Sequence, residues 1–567
     1  MPKRWRITFE LVLVLMVLVS YAYVAVAPGN NLMHFYTSDD AFYYYKVAQN
    51  ITEGRGVSFD GIGITNGFHP LWMLICIPLF ALARFNLFLP LRLVVMVLAL
   101  LNAGTGVMLY RLFKQLLSTP AAMLAAVAWV FLPQIQRTVT FGGLEAGVSV
   151  FCVVLLVYQL AAWQKERPLI GDRPQRLLMI AGAGILALFG RLDNAFTVFF
   201  AGLYVFLLAF KTWDGARETP RIGWLRRLGV GVMYYFPVGT ALGAYLLTNY
   251  LYAGTPMPVS GMVKRWWSTL PATVYGQPVL GWRNFISYWF TNNRSSGPWS
   301  LITDVPNRLA DTVYSLLPLQ GSELFLKNVN RSLVAGFALL LLGIALWLVI
   351  KNWNVTWRAL VRFSILPLFL GCSAQIASYR IIPYVHTRPW YWAVEMAVIV
   401  LVLAIVVEGL VQTLRRWKVS MEGIWAGAGA VMAIVFLFFA SYTVKLVPLT
   451  LLPENANNYR LEALGIERLT EPGSLIGCTG AGTIGYFIQD RTVVPLDGLI
   501  NSYQYFTLLK AGKAYEYLDK IGLNYVWGNA YMITKTDPYA AIFKGRLEEV
   551  DHVESGNVYR YLPGIQP

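Results

Sequence analysis

Long apolar runs dominate this chain, and their lengths define what they are. Stretches near residues 7–26, 93–110, 119–135, 144–162, 177–190, 194–210, 228–250, 332–350, 360–378, 390–410 and 422–446 are mostly free of charge. About 20 apolar residues cross a bilayer as a helix, so the pattern predicts a polytopic α-helical membrane protein with about 11 transmembrane helices. An odd number puts the two ends on opposite sides. With the N-terminus inside, the short inner loops collect Lys3, Arg4 and Arg6, then Arg111 and Lys114, Lys165 to Arg176, Lys211 to Arg227, Lys351 to Arg362, and Arg415 to Lys418. Such an excess marks cytoplasmic loops. The first run is read as a retained helix, because Pro28 directly follows the small residues Ala25-Val26-Ala27 and disfavours cleavage there.

Two runs depart from simple crossing. His69 to Ala83 contains Pro70 and Pro78, and a crossing there would reverse every later loop. It is expected to lie in or dip into the outer interface. Leu177 to Phe210 must cross twice, with only about 16 residues per leg, or about 24 Å of helix against about 30 Å of hydrocarbon. Its turn, Gly190-Arg191-Leu192-Asp193, therefore sits below the outer surface. Charged backbone at that depth is tolerated inside protein or beside a watery cavity, and Arg191 with Asp193 reads either as a self-neutralising structural pair or as part of such a cavity.

The remaining chain divides into two long aromatic outer loops, 28–92 and 251–331, and a C-terminal part. Residues 1–447 are expected to form the membrane module. Residues 448–567 alternate polar helical stretches (455–469, 501–521) with short strand-like runs (474–478, 492–496, 525–528, 558–562), as in a small extracytoplasmic α/β domain. Its glycines, Gly477, Gly480, Gly482 and Gly485, do not spell a dinucleotide-binding loop.

Composition agrees with lipid burial. Of 567 residues, 57% are hydrophobic and 13% charged, about half the charge of a soluble domain. The net charge of +16 is explained by loop orientation, with no call for nucleic acid. Cys76, Cys152, Cys372 and Cys478 are scattered and read as packing residues, not a disulfide or metal framework.

Candidate chemistry clusters on the outer side. Asp39 and Asp40 follow Ser38 at the start of an aromatic helix, where acids also suit the helix dipole and Ser38 suits an N-cap. Glu145 tops another span behind Gly142-Gly143. Lys264 follows Gly254-Thr255-Pro256-Met257-Pro258, and Arg380, His386 and Arg388 crowd one tight loop as a possible phosphate clamp. Snorkelling to headgroups is the competing role for these cations. Carboxylates, cations, a sunken cavity and apolar walls together suit transfer from a lipid-borne phosphate to a hydroxyl. A carboxylate takes the hydroxyl proton and cations stabilise the departing phosphate. Asp39, Asp40 and Glu145 are also hard oxygen ligands for a divalent cation such as Mg or Mn.

Asp39-Asp40-Ala41-Phe42, Asn50, Glu53-Gly54-Arg55-Gly56 and Thr65-Asn66-Gly67-Phe68-His69-Pro70-Leu71-Trp72 resemble the first outer loop of GT-C glycosyltransferases that use polyprenyl-phosphate sugars. The block is most similar to mycobacterial terminal arabinofuranosyltransferases, and His69-Pro70 to the juxtamembrane segment of protein O-mannosyltransferases. Gly143-Leu144-Glu145, Arg191-Leu192-Asp193, Tyr252 to Pro256 leading to Lys264, Gly485-Tyr486 and Asp497-Gly498-Leu499 extend the resemblance. It implies a GT-C fold, Asp39 or Asp40 as base, and donor phosphate near Lys264 and Arg388. Glu145 and His69 are candidates for the acceptor, a metal or a second acid. The Gly67-Phe68-His69 stretch departs from the arabinosyltransferase pattern, which leaves the sugar open.

The expected function is transfer of a single sugar, with inversion, from a polyprenyl-phosphate donor to an extracytoplasmic glycan, lipid or protein acceptor at the plasma membrane. A lipid-linked sugar transporter or binding protein and a whole-glycan ligase or oligosaccharyltransferase are the alternatives.

Overall fold

The computed structural model describes residues 3–83, 86–170, 173–208, 220–270, 297–317, 322–381, 387–453 and 458–564. Most of the middle of the second long outer loop, the cations Lys211 and Arg217, and residues 455–457 of the expected helix fall outside them.

Each of the eleven apolar runs coincides with helix. Among the described residues seven helices are long and apolar enough to cross a membrane, or nine if each of two bent pairs is one span. The first bend, 53°, separates Thr119–Phe131 from Pro133–Val139, where Pro133 has no N–H to continue the ladder. The second, 62°, separates Trp353–Arg362 from Ile365–Tyr379, with Ser364 at φ +52° between them. The other two expected crossings, Pro174–Gly190 and Leu192–Leu208, are apolar but shorter, as is Pro70–Ala83.

Burial orders these helices. Ala146–Glu166 and Pro389–Arg416 are each 72% buried inside the protein, whereas Glu323–Lys351 is 6% and Met421–Leu446 17% buried. The first two form the centre, and the outer two expose apolar flanks on nearly every side. An apolar helix so exposed is stable with hydrocarbon around it. The chain is a polytopic helical membrane protein with a small C-terminal sheet unit.

That unit is a five-stranded sheet in the order β2-β1-β3-β5-β4. Strands β1 (Leu475–Cys478), β2 (Thr492–Pro495) and β3 (Tyr525–Gly528) run parallel. Strands β5 (Gly556–Tyr561) and β4 (Leu547–Val553) add antiparallel pairs. The four expected strand runs are β1, β2, β3 and β5. Strand β4 escapes the sequence pattern because its LEEVDHV sequence is mostly exposed, and edge strands are often charged. The expected helix 501–521 is two, Tyr503–Lys510 and Ala514–Ile521, parted by Gly512 at φ +72°.

The sheet unit shares a core with the membrane helices. Phe42 packs 5.5 Å from Tyr486 and 5.9 Å from Phe487, centroid to centroid. The connector is pinned by buried Asn31, whose amide donates to the carbonyls of Pro448 at 2.7 Å and Thr450 at 2.8 Å. The carboxyl ends of β1 and β2 thereby face the first outer loop.

Candidate active site

Helix Asp40–Thr52 opens with Asp39 in the cap position, and no side chain caps it; Ser38 does not take the expected N-cap role. The two aspartates then diverge. Asp39 Oδ1 accepts from the Thr483 N–H at 2.6 Å and the Thr483 hydroxyl at 2.5 Å, and Oδ2 from the Gly482 N–H at 3.1 Å. These donors begin the helix Gly482–Phe487, just after β1. Gly482 is required there, since a Cβ would lie 2.4 Å from the Asp39 carbonyl oxygen. Asp40 turns the other way, into a cavity of about 200 Å³, and its carboxylate has no hydrogen-bond or ion-pair partner among the described residues.

The cavity is walled by Asp40, Tyr43 and Tyr44 from this helix, His69 from the loop end, Glu145, Arg191 and Asp193 from the membrane module, and Lys264 from helix Val259–Trp267. Tyr379, Trp390 and Tyr391 line it from the segment containing the tight loop, and Leu499 and Ile500 close it from the C-terminal unit.

Its charges are already partly spent. Arg191 is 3% exposed and donates to Glu145 Oε1 at 2.5 Å and to both Asp193 oxygens at 3.1 and 2.8 Å. Asp193 also accepts from the Tyr379 hydroxyl at 2.7 Å and the Gln375 amide at 3.2 Å. Two carboxylates thus consume the guanidinium. Lys264 has no carboxylate partner among the described residues; its ammonium donates to the Tyr391 hydroxyl. The Arg191 guanidinium lies 4.7 Å from the Tyr391 ring centroid, close enough for the ring quadrupole to attract it.

Burial pushes the His69 imidazole below its usual range, against the pull of nearby Glu145. The Leu192 N–H donates to Nδ1 at 3.3 Å, leaving the ring proton on Nε2, 3.8 Å from Glu145 Oε1.

The Thr65 to Pro70 motif assembles the site from distant segments. The Asn66 amide donates to the Met257 carbonyl at 3.2 Å, and its Oδ1 accepts the Val259 N–H at 3.0 Å. It thereby satisfies a free donor at the start of the helix that carries Lys264. Gly67 lies where a Cβ would stand 2.2 Å from the Leu499 carbonyl oxygen, so only glycine admits the C-terminal loop. From that loop Asp497 accepts the Tyr43 hydroxyl at 2.7 Å and the Leu499 N–H at 2.9 Å.

Of the three carboxylates that could serve as oxygen ligands, Asp40 and Glu145 line the cavity and Asp39 does not. Asp39 is engaged by Gly482 and Thr483 and Glu145 by Arg191. Among the described residues no three of His, Cys, Asp and Glu gather as ligands for one ion.

The structure therefore brings together Asp40, His69, Glu145, Arg191, Asp193 and Lys264, and keeps Asp39 behind them. Arg388 is exposed at the start of the turn Pro389–Trp392 and does not line the cavity. The Arg380 side chain and His386 lie outside the described residues. Sequence reasoning missed Tyr379 and Tyr391, because interfacial aromatics read as headgroup anchors. Their proximity to Arg380 and Arg388 in the chain was the available signal.

No family model and no curated protein matches the chain. Among solved structures it is similar to the archaeal oligosaccharyltransferase AglB from Archaeoglobus fulgidus in complex with an inhibitory peptide and a dolichol-phosphate, with TM-score 0.49 and 11% identity over 96% of this chain and 73% of that one. It is also similar to ArnT from Cupriavidus metallidurans bound to undecaprenyl phosphate, with TM-score 0.41 and 12% identity over 100% of both chains. Likeness of this degree concerns the path of the chain and not the role of any side chain.

Proposed function

We propose that the chain is a GT-C membrane glycosyltransferase that moves one sugar from a polyprenyl-phosphate carrier to a hydroxyl acceptor on the outer face of the plasma membrane. The observation that carries this reading is the unpaired Asp40 carboxylate facing the same hollow as Lys264, a cation with no carboxylate of its own among the described residues. Asp40 takes the proton from the acceptor hydroxyl as its oxygen attacks the anomeric carbon. The bond from that carbon to the carrier phosphate breaks, and Lys264 with the Tyr391 hydroxyl receives the charge gathering on the phosphate oxygens. A phosphate leaves without protonation, so no acid is required.

Glu145 is held by Arg191 and is not free to act as a covalent nucleophile, which supports single displacement and inversion. A cavity of about 200 Å³ favours one ring over a branched glycan. Residues 1–447 carry the chemistry in this reading, and 448–567 close the cavity from outside. The basic inner loops support an N-terminus inside and a C-terminal unit outside. The first-loop resemblance makes arabinofuranosyl and mannosyl carriers the first donors to assay.

The test is reconstitution in liposomes with polyprenyl-phosphate arabinofuranose or mannose and acceptor glycans, lipids or peptides. Wild type should yield a product of inverted anomeric configuration, and Asp40→Asn should not. Carrier binding with no product from wild type in any combination would favour the binding-protein alternative. A product that keeps the donor's configuration would rule out single displacement.

A further inference from the structure

A second cavity, of about 510 Å³, opens where helix Asp40–Thr52 meets the C-terminal unit. Lys46 lines it, six positions after Asp40, about 9 Å further along the axis and on another face of the helix. Arg55 and Arg491 join Lys46 there, with Asp490 the one lining acid.

Two of these cations, Lys46 and Arg491, are held by neutral acceptors. The Arg491 guanidinium donates to the carbonyls of Glu467 at 2.8 Å and Thr470 at 2.6 Å, which hold it without cancelling its charge. Lys46 donates to Gln49 Oε1 at 3.3 Å and has no carboxylate partner among the described residues. Arg55 pairs with Glu53. Burial, and then the nearby Arg55 charge, lower the Lys46 ammonium to about 8. Cations gathered from two distant parts of the chain around one hollow call for an anion with several acceptor oxygens.

The position of the cleft selects the source of that anion. Leu87 forms part of its wall, two residues before the membrane helix Leu89–Phe113, and the Tyr486 hydroxyl donates to the Leu87 carbonyl at 2.6 Å. The hollow thus adjoins the first turn of a helix long and apolar enough to cross a membrane, where headgroup phosphates are expected. We propose that Lys46, Arg55 and Arg491 bind the phosphate of an anionic phospholipid headgroup and so fasten the C-terminal unit to the outer membrane surface. This site does not depend on the sugar-transfer reading.

The test is lipid retention by the full chain, purified in detergent and mixed with vesicles of either phosphatidylglycerol or phosphatidylcholine, read by native mass spectrometry. Wild type should retain phosphatidylglycerol preferentially, and Lys46→Gln and Arg55→Gln should each weaken retention about fivefold. Arg55 is half-exposed, so its variant serves if Lys46→Gln fails to fold. Equal retention of the two lipids, or retention unchanged in both variants, would overturn the proposal. Thermal stabilisation by inorganic phosphate equal to that by phosphatidylglycerol would overturn the lipid source and assign the site to free phosphate.

Discussion

Asp39 and Thr483, 444 positions apart, are joined by two hydrogen bonds of 2.6 and 2.5 Å. The pair docks the C-terminal unit onto the long loop after the first helix, one residue before the candidate base. Burial raises Asp39 to about 7 and Asp497 to about 6. Both values lie above the ordinary carboxylate range, so the neutral acids favour the folded state. That stability is complete below about pH 4 and is lost as pH rises through 6 and 7. The thermal midpoint should therefore fall between pH 5 and pH 8, and Asp39→Asn should flatten the fall. A midpoint that climbs over this interval would contradict the sign.

Asp40→Asn should lower kcat about 10²- to 10⁴-fold, the usual contribution of a positioned base. Carrier lipid should still co-purify. Asp39→Asn should keep most of its turnover at pH 7, since amide oxygen still accepts from Thr483. The reverse ranking of the two variants would transfer the base role to Asp39.

Lys264→Gln should weaken carrier binding. A hydrogen bond to a charged group contributes about 1.5 to 3 kcal/mol, or about 10- to 150-fold in KM for the carrier. Tyr391→Phe, which keeps the ring beside Arg191 and removes only a neutral hydroxyl from Lys264, should cost less. An unchanged KM in Lys264→Gln would place the donor phosphate elsewhere.

Arg191→Lys should destabilise the protein even though charge is conserved. One ammonium cannot reproduce the contacts to Glu145 and to both oxygens of Asp193. Breaking a buried ion pair costs about 3 to 5 kcal/mol. The thermal midpoint in detergent reads this directly, and an unchanged midpoint would mean that water reaches the pair.

Gly67→Ala should loosen the C-terminal unit, because its Cβ would meet the Leu499 carbonyl at 2.2 Å. Overpacking of this kind costs about 1 to 3 kcal/mol. Limited proteolysis should cut the variant faster than wild type. Gly182→Ala is the control, with nothing within 4 Å of the added atom.

The helices were legible from run length, because hydrocarbon leaves the backbone few choices. The short legs of Leu177 to Phe210 were legible too, since residue count fixes helix length. Strand β4 was not, because its charged edge lacks the alternation that a buried face imposes. The bends at Pro133 and Ser364 divide runs that read as continuous.

Sequence alone picked out Asp39, Asp40, His69, Glu145, Arg191, Asp193 and Lys264 as candidate chemistry, since charged groups are costly near lipid and need a reason to be there. It could not separate Asp39 from Asp40. Adjacent residues at a helix start point in different directions, and only the docked C-terminal unit, with Gly482 and Thr483 supplying donors, decides which carboxylate is satisfied and which is left facing the cavity. Nor could it show that Arg191 is consumed by two acids while Lys264 is not. Local sequence sets the kind of element, whereas pairing between groups hundreds of residues apart exists only once the chain has folded.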